Sequence, residues 1–533
     1  MPTFPDHALC YTPFMIRSFL TVSTGTLASR LLGFARDSMI AALLGAGPVA
    51  DAFLVAFQLV NVVRRLLTEG ALNAALVPAW LRVREAEGAK AASAFAGRVL
   101  GTVSAALIVA TLLIGLAMPL VIAALAPGFA RQPTLQLAVD NARLMLPYLA
   151  FAGPVTVMMA LMNAQGRFAL TAFSPMLFNI ALIAAMIALV LWRQDAAFAA
   201  PAIAATVGIA GLLQLSILVL RRGGNVATPL RISFGAEMRG FFGHAIPGMI
   251  ASASPQLLVV AGAVIASSQP SAVSWLYFAN RLVELPLGIV GVAMGTVLVP
   301  ELTRALRATD HTAVAHAESR ALELATGLAL PATLGLIVLA EPITRLLFQH
   351  GVFTAADTAA TAGALMWLAL GLPAHVLVKA LSPAFFARHD TSTPLLATLV
   401  GFAVAIVSAL VLGRLFGAEG IAAGIALGAW SSSLALMRRG AASFGFSIDA
   451  AARRRLPRIV AAALEMGGLL WLAARFLPAL GADSHTFARA LSLMLLISGA
   501  IAVYGLLLAL SGVTSWGETV NAFRQSRPAD LRE

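Results

Sequence analysis

The sequence predicts an all-α polytopic membrane protein of fourteen transmembrane helices: two six-helix lobes around a central cavity, plus two extra C-terminal helices. Three observations lead there. First, of 533 residues 60% are hydrophobic and 11% charged, with mean hydropathy +0.89; a soluble domain carries about 25% charged residues, so this chain cannot present a water-facing surface all round. Second, apolar runs of about 20 residues recur, the length that crosses a bilayer as a helix, in place of the short alternating segments of an outer-membrane barrel. Third, Arg and Lys concentrate in alternate connections, as cytoplasmic loops require.

Residues 1–14 have neither a basic n-region nor an apolar h-region, so no cleaved signal is expected, and Met15 is an alternative start. Hydropathy then places spans near 16–44, 49–80, 95–125, 136–162, 168–192 and 197–220. A second series follows near 236–266, 271–306, 314–340, 356–386, 392–414 and 418–438, and the last two lie near 456–478 and 486–512. The basic connections hold Arg82, Arg84, Lys90 and Arg98; Arg221, Arg222, Arg231 and Arg239; Arg304 and Arg307; and Arg438, Arg439, Arg453, Arg454, Arg455 and Arg458. Those between them hold nothing or a lone Arg131, Arg193, Arg345 or Arg414. An inner-membrane protein with both termini cytoplasmic, and so an even number of spans, is expected. The net charge of +12 is then read as loops facing anionic lipid, and nucleic acid is excluded as a partner because no soluble basic domain exists. The single cysteine, Cys10, excludes a disulfide framework and Cys-based metal sites.

An internal repeat divides the spans. Asp51–Trp80 aligns without gaps on Val273–Leu302: Ala52-Phe53-Leu54 matches Ser274-Trp275-Leu276, and Leu76-Val77-Pro78 matches Leu298-Val299-Pro300. Arg167…Pro175 is echoed by Arg388…Pro394. The predicted organisation is an N-terminal extension (1–14), an N-lobe (15–222), a C-lobe (223–440), two further spans (441–515) and a cytoplasmic tail (516–533). Parallel halves of this kind pack about an axis normal to the membrane and leave a cavity between them.

Several charges fall inside the spans: Arg30, Arg36 and Asp37 in the first; Asp51, Arg64, Arg65 and Glu69 in the second; Arg281 and Glu284 in the eighth; and Lys379 in the tenth. Each costs at least ~2.5 kcal/mol at a helix centre, so each implies a polar cavity or a pair. Arg30 and Asp37, seven residues apart, fall on one helix face; Arg65 and Glu69 form an i,i+4 pair. Arg64, Arg65 and Glu69 lie near enough to a helix end to snorkel, and single charges such as Glu323 and Glu465 read equally well as structural. Taken together, however, Arg30, Arg36, Arg65, Arg281 and Lys379 are five cations from four helices in both lobes. Such an excess points to an anionic substrate that supplies the missing charge, and the planar fork of Arg suits phosphate. A cation antiporter would want acidic cavity residues, and a membrane scaffold has no use for buried arginines. There is no phosphate-loop motif, and His244, His350, His375 and His389 are scattered, so no catalytic centre, metal or cofactor is expected.

The run Ser29-Arg30-Leu31-Leu32-Gly33-Phe34-Ala35-Arg36-Asp37, with Gly45-Ala46-Gly47 and Ala50-Asp51-Ala52-Phe53, resembles the MurJ (MviN) lipid II flippase family of the MOP exporter superfamily. So do Asn61-Val62-Val63-Arg64-Arg65-Leu66 with Glu69-Gly70-Ala71, Ala126-Pro127-Gly128-Phe129, Asn280-Arg281-Leu282 with Glu284 and Pro286, Gln349-His350-Gly351-Val352-Phe353-Thr354, and Arg388-His389-Asp390-Thr391-Ser392-Thr393-Pro394. The likeness spans about residues 15–520. It implies a flippase that carries undecaprenyl-pyrophosphate-linked disaccharide-pentapeptide (lipid II) to the periplasmic leaflet; a flippase for another polyprenyl-linked oligosaccharide is the alternative. It implies Arg30, Arg36 and Arg281 as essential cavity arginines, with Asp51 and Arg65 also important, Lys379 matching a lysine of the tenth helix, and a lipid-tail groove on the last two helices. Asp37, Arg64, Glu69 and Glu284 are supporting charges. Membrane potential or a monovalent cation is the candidate coupling source, with Asp390 a candidate carboxylate, and cell-wall synthesis machinery is a candidate partner. Two departures stand out: Asn280 replaces an Asp found in some relatives, which is expected to remove a pairing, and Ser392 replaces a frequent Lys.

Overall fold

Backbone N–H and C=O groups in hydrocarbon must be paired within the chain, and helices do this segment by segment. A computed structural model of the chain describes residues 13–68, 71–220, 227, 230–243, 254–293, 311–386, 388, 390–444, 449–477 and 486–513, and among them there is no β-strand. Packing divides the chain into two compact units, Met1–Ser274 with His350–Phe353, and Trp275–Gln349 with Thr354–Glu533.

The first unit contains α1 (Pro13–Leu44), α2 (Pro48–Thr68), α3 (Ala71–Leu116), α4 (Met118–Leu125), α5 (Pro133–Met145), α6 (Pro147–Ala164), α7 (Phe168–Leu191), α8 (Ala196–Leu220) and α9 (Ser254–Ala266). Prolines open α2, α5 and α6, where a missing N–H is harmless and φ is already helical. Helix α3 is interrupted at Gly88 (φ 86°). It packs on α6, while α1 packs on α7 and α2 on α5. Two tight loops dock on helix ends, one on a backbone carbonyl and one on a serine hydroxyl. Val352 N donates to Ala42 O at the end of α1 (3.0 Å), and Gly128 N donates to Ser267 Oγ just beyond α9 (3.0 Å). Gly351 has φ 59°, and a methyl there would strike the Ala42 carbonyl.

Division by packing differs from division by repeat. Residues 230–243 and 254–274, which belong to the second half of the repeat, pack in the first unit. The reason is local. The extended segment at 231–233 lies along α3, with Arg231 N donating to Gly97 O (3.4 Å) and Ser233 N to Thr102 Oγ1 (3.0 Å). Arg98 then pairs with Glu237 (2.8 Å), and Phe95 meets Phe241 edge-on at 6.0 Å.

Helix α10 (Ala272–Ala293) begins in the first unit and continues in the second. The second unit adds α11 (His311–Val338), α12 (Ala340–Phe348), α13 (Ala355–Phe386), α14 (Ser392–Phe444), α15 (Ala450–Arg475) and α16 (Thr486–Leu510). At 53 residues α14 would extend about 80 Å at 1.5 Å per residue, more than twice the hydrocarbon thickness of ~30 Å. Gly417 (φ 61°, ψ −140°) breaks it instead, and its two arms run back along one another. Gly420, Gly424 and Gly428 face Leu412, Ala409 and Ala405, too close for any added side chain. Small residues at four-residue spacing permit that approach in a membrane. The arms match the spans expected at 392–414 and 418–438. Asp390 caps the start of α14: hydrogen bonds from the Thr393 side chain and backbone hold its carboxyl below the usual carboxylate range.

By length and apolarity, nine helices among the described residues qualify to cross a membrane, with Ser392–Ser443 counted as one. Helices α1, α2 and α10, which carry the embedded charges other than Lys379, and the short α9 fall outside that set. The two helices beyond the repeat are firmly attached. Helix α15 packs on α11, where Gly467 lies against Leu334, and Tyr504 of α16 donates to Gly327 O (2.8 Å). The rest of α16 is largely uncovered, with Phe487, Met494, Leu495 and Ile501 exposed.

Candidate functional site

Arg36 is the most completely surrounded of the embedded cations, at 6% exposure. Its Nε and Nη2 donate to Asp37 Oδ1 (2.9 and 2.6 Å), and its Nη1 donates to Asn179 Oδ1 of α7 (2.9 Å). Phe57 of α2 and Phe178 of α7 lie over the guanidinium, with ring centroids 5.0 and 5.8 Å from it. Asp37 is fully buried. Three helices therefore converge on one charge, and the ion pair is desolvated and held by aromatic faces.

Arg30, two turns earlier in α1, is exposed. The seven-residue spacing puts Arg30 and Asp37 on one helix face, yet Asp37 is buried and Arg30 exposed. In α2, Arg64 and Arg65 are half-buried, and Arg64 Nη2 donates to Asn61 Oδ1 (3.4 Å). Glu69 lies outside the described residues.

Asp51, 2% exposed, stands at a helix terminus. Its carboxylate accepts from Ser271 N (2.9 Å), Ser274 N (2.9 Å) and Ser274 Oγ (2.5 Å), the first turn of α10. A buried carboxylate on unpaired N–H groups at the positive end of a helix dipole is well placed. Both of its oxygens are engaged there, and α10 is the helix that carries Arg281.

In the second unit Arg281 pairs with Glu284 one turn along α10 (2.8 Å), the two side chains being 22% and 25% exposed. Asn280, where the pairing of a carboxylate was expected to be lost, acts here as a donor. Its amide donates to Glu284 Oε1 (3.4 Å), because a neutral donor four residues before a carboxylate still reaches it. Lys379 of α13 is exposed. Arg30, Arg36, Arg64 and Arg65 thus belong to the first unit, and Arg281 and Lys379 to the second. Among the described residues no cluster of His, Cys, Asp or Glu is arranged to hold a metal ion.

Sequence reasoning passed over Asn179 and the two serines that receive Asp51. Asn179 carried a usable signal, an amide inside an otherwise apolar span; Ser271 and Ser274 carried none, since serines are common at helix starts.

Comparisons with known proteins agree with this architecture. The family model described as "Lipid II flippase MurJ" matches residues 40–491. A "Probable lipid II flippase MurJ" of Rhizobium tropici is 35% identical, over 97% of this chain and 98% of its own length. A "Lipid II flippase MurJ" of Burkholderia cenocepacia is 33% identical, over 87% and 91%. A solved structure of lipid II flippase MurJ in an inward closed conformation superimposes with TM-score 0.76 at 22% identity, covering 92% of this chain and 98% of that one. An inward-facing MATE family multidrug resistance transporter of the MOP superfamily superimposes with TM-score 0.63 at 15% identity, covering 83% and 98%. At those identities the two structures speak for the fold. The family model and the sequence relatives, covering nearly the whole chain, show that this protein belongs to the lipid II flippase MurJ family.

Proposed function

We propose that the chain flips undecaprenyl-pyrophosphate-linked peptidoglycan precursor, lipid II, from the cytoplasmic to the periplasmic leaflet of the inner membrane by alternating access. Both termini are cytoplasmic in this reading. In this reading Arg30, Arg36, Arg65, Arg281 and Lys379 are the cations that meet the diphosphate, and the isoprenoid tail stays in lipid along α15 and α16. Asp51 serves the site indirectly, by capping the helix that carries Arg281.

The observation that carries this reading is the disposition of charge in α1 and α2. Arg30, Arg36, Arg64 and Arg65 are matched in sequence by Asp37, Asp51 and Glu69, yet Asp51 is engaged on the α10 N-terminus. Four arginines against three carboxylates give these two helices a net positive charge that an anion would balance. Neutralisation by substrate would favour reorientation of the lobes, and membrane potential would favour return of the cationic site, at ~2.3 kcal/mol per charge per 100 mV. A monovalent cation is the alternative coupling source, and cell-wall synthesis enzymes are candidate partners.

The test is complementation of a conditional depletion strain by wild type and by Arg30→Ala, Arg36→Ala and Arg281→Ala, with membrane insertion checked by blot. Wild type should rescue, and the inserted variants should lyse with lipid II accumulating in the inner leaflet. Rescue by the variants would remove the anion-grip mechanism. Failure of wild type would move the substrate to another polyprenyl-linked glycan.

A further inference from the structure

Asn179 occupies a demanding position. It is 5% exposed, in the middle of α7, and its carboxamide spans two turns of α1. The oxygen accepts from Arg36 Nη1 (2.9 Å), and the nitrogen donates to the Ser29 carbonyl (3.1 Å). The orientation is dictated by chemistry, since a guanidinium has only donors and a carbonyl only accepts. No other side chain of this size meets both. Aspartate has no donor for Ser29 O and would add a second negative charge beside Arg36. Leucine has the same shape but would leave both partners without a bond.

The guanidinium has five N–H groups. One on Nε and one on Nη2 go to Asp37, and one on Nη1 goes to Asn179. One N–H therefore remains on each terminal nitrogen, the two atoms that bind a phosphate in a bidentate grip. A neutral amide at 179 fixes the plane of the guanidinium without cancelling its charge, a role an acid could not fill.

We infer that Asn179 is a positioning residue of the transport site: it orients Arg36 so that a terminal N–H pair is directed at the diphosphate, and it does so without charge. The inference rests on the flippase reading and adds to it a residue that does not itself touch substrate.

The test uses the full-length purified protein in lipid nanodiscs. Binding of undecaprenyl diphosphate, with undecaprenyl monophosphate as the comparison, is measured for wild type, Asn179→Leu, Asn179→Asp and Asn179→Gln, and thermal stability is recorded for each. Asn179→Leu should weaken diphosphate binding about tenfold, the scale of one hydrogen bond to a charged group. Asn179→Asp should weaken it at least as much while matching or exceeding the stability of Asn179→Leu, because the new carboxylate keeps its bond to Arg36 but competes with the phosphate. Asn179→Gln should recover part of the affinity. In an Arg36→Ala background, Asn179→Leu should have no further effect on binding.

If Asn179→Asp binds the diphosphate like wild type, or if affinity and stability fall in parallel across all three variants, Asn179 is a packing residue and the inference is overturned. If wild type binds neither lipid, the flippase reading itself fails, and the inference falls with it. Loss of the diphosphate preference in the Asn179 variants, with wild type intact, supports the inference alone.

Discussion

Two ion pairs among the embedded charges, Arg36–Asp37 and Arg281–Glu284, are built in opposite ways. Arg36–Asp37 in α1 joins neighbouring residues, whose side chains leave a helix about 100° apart and do not ordinarily face each other. It forms because α2 and α7 close over it, Phe57 and Phe178 covering the guanidinium and Asn179 turning it. Arg281–Glu284 in α10 needs no such help: three residues apart, the two charges meet through helix geometry alone, and both stay about a quarter exposed. A charge pair in a membrane protein can therefore be made by the period of one helix or by the convergence of several. Only the second kind is fully desolvated, and only the second kind should be costly to break.

That contrast can be broken most directly at Asp37. Asp37→Ala strands a buried guanidinium between two phenyl rings and should destabilise the protein by about 3–5 kcal/mol, seen as a large fall in thermal stability of the purified protein. A change below 1 kcal/mol would mean that Arg36 is neutralised by something else. Next in size is Phe57→Leu, which removes one covering face and part of a fully buried ring. Lost cation–π attraction and packing should together cost about 1–2 kcal/mol, and Arg36 should become accessible to an arginine-selective dicarbonyl reagent; unchanged reactivity would leave the ring with a packing role only. The smallest effect belongs to Glu284→Ala, where a quarter-exposed pair should cost about 1 kcal/mol or less. Should Glu284→Ala prove as damaging as Asp37→Ala, the two pairs are equivalent and the distinction drawn here is lost.

The same contrast explains what could be read in advance. Arg281 and Glu284 stood out as embedded charges, and their i,i+3 pairing follows from a local property of the helix. Asp51 stood out as an embedded charge, but its destination did not, because Ser271 and Ser274 lie 220 and 223 residues further along the chain. Gly420, Gly424 and Gly428 recur every four residues, a local pattern, but the partner arm they meet is set by the break at Gly417.

The sequence by itself determined that the chain is helical and membrane-embedded, where most of its described helices begin and end to within a few residues, and which of them carry charge. These follow from hydropathy and from a 3.6-residue period, which act over one helix at a time. Only the tertiary structure decided that Asn179 would hold Arg36, that Asp51 would cap α10, and that residues 230–243 and 254–274 would pack with the first unit. Each of those depends on which helix ends and faces meet across a hundred or more residues of chain. Close packing selects such partners, and a single sequence carries no local record of the choice.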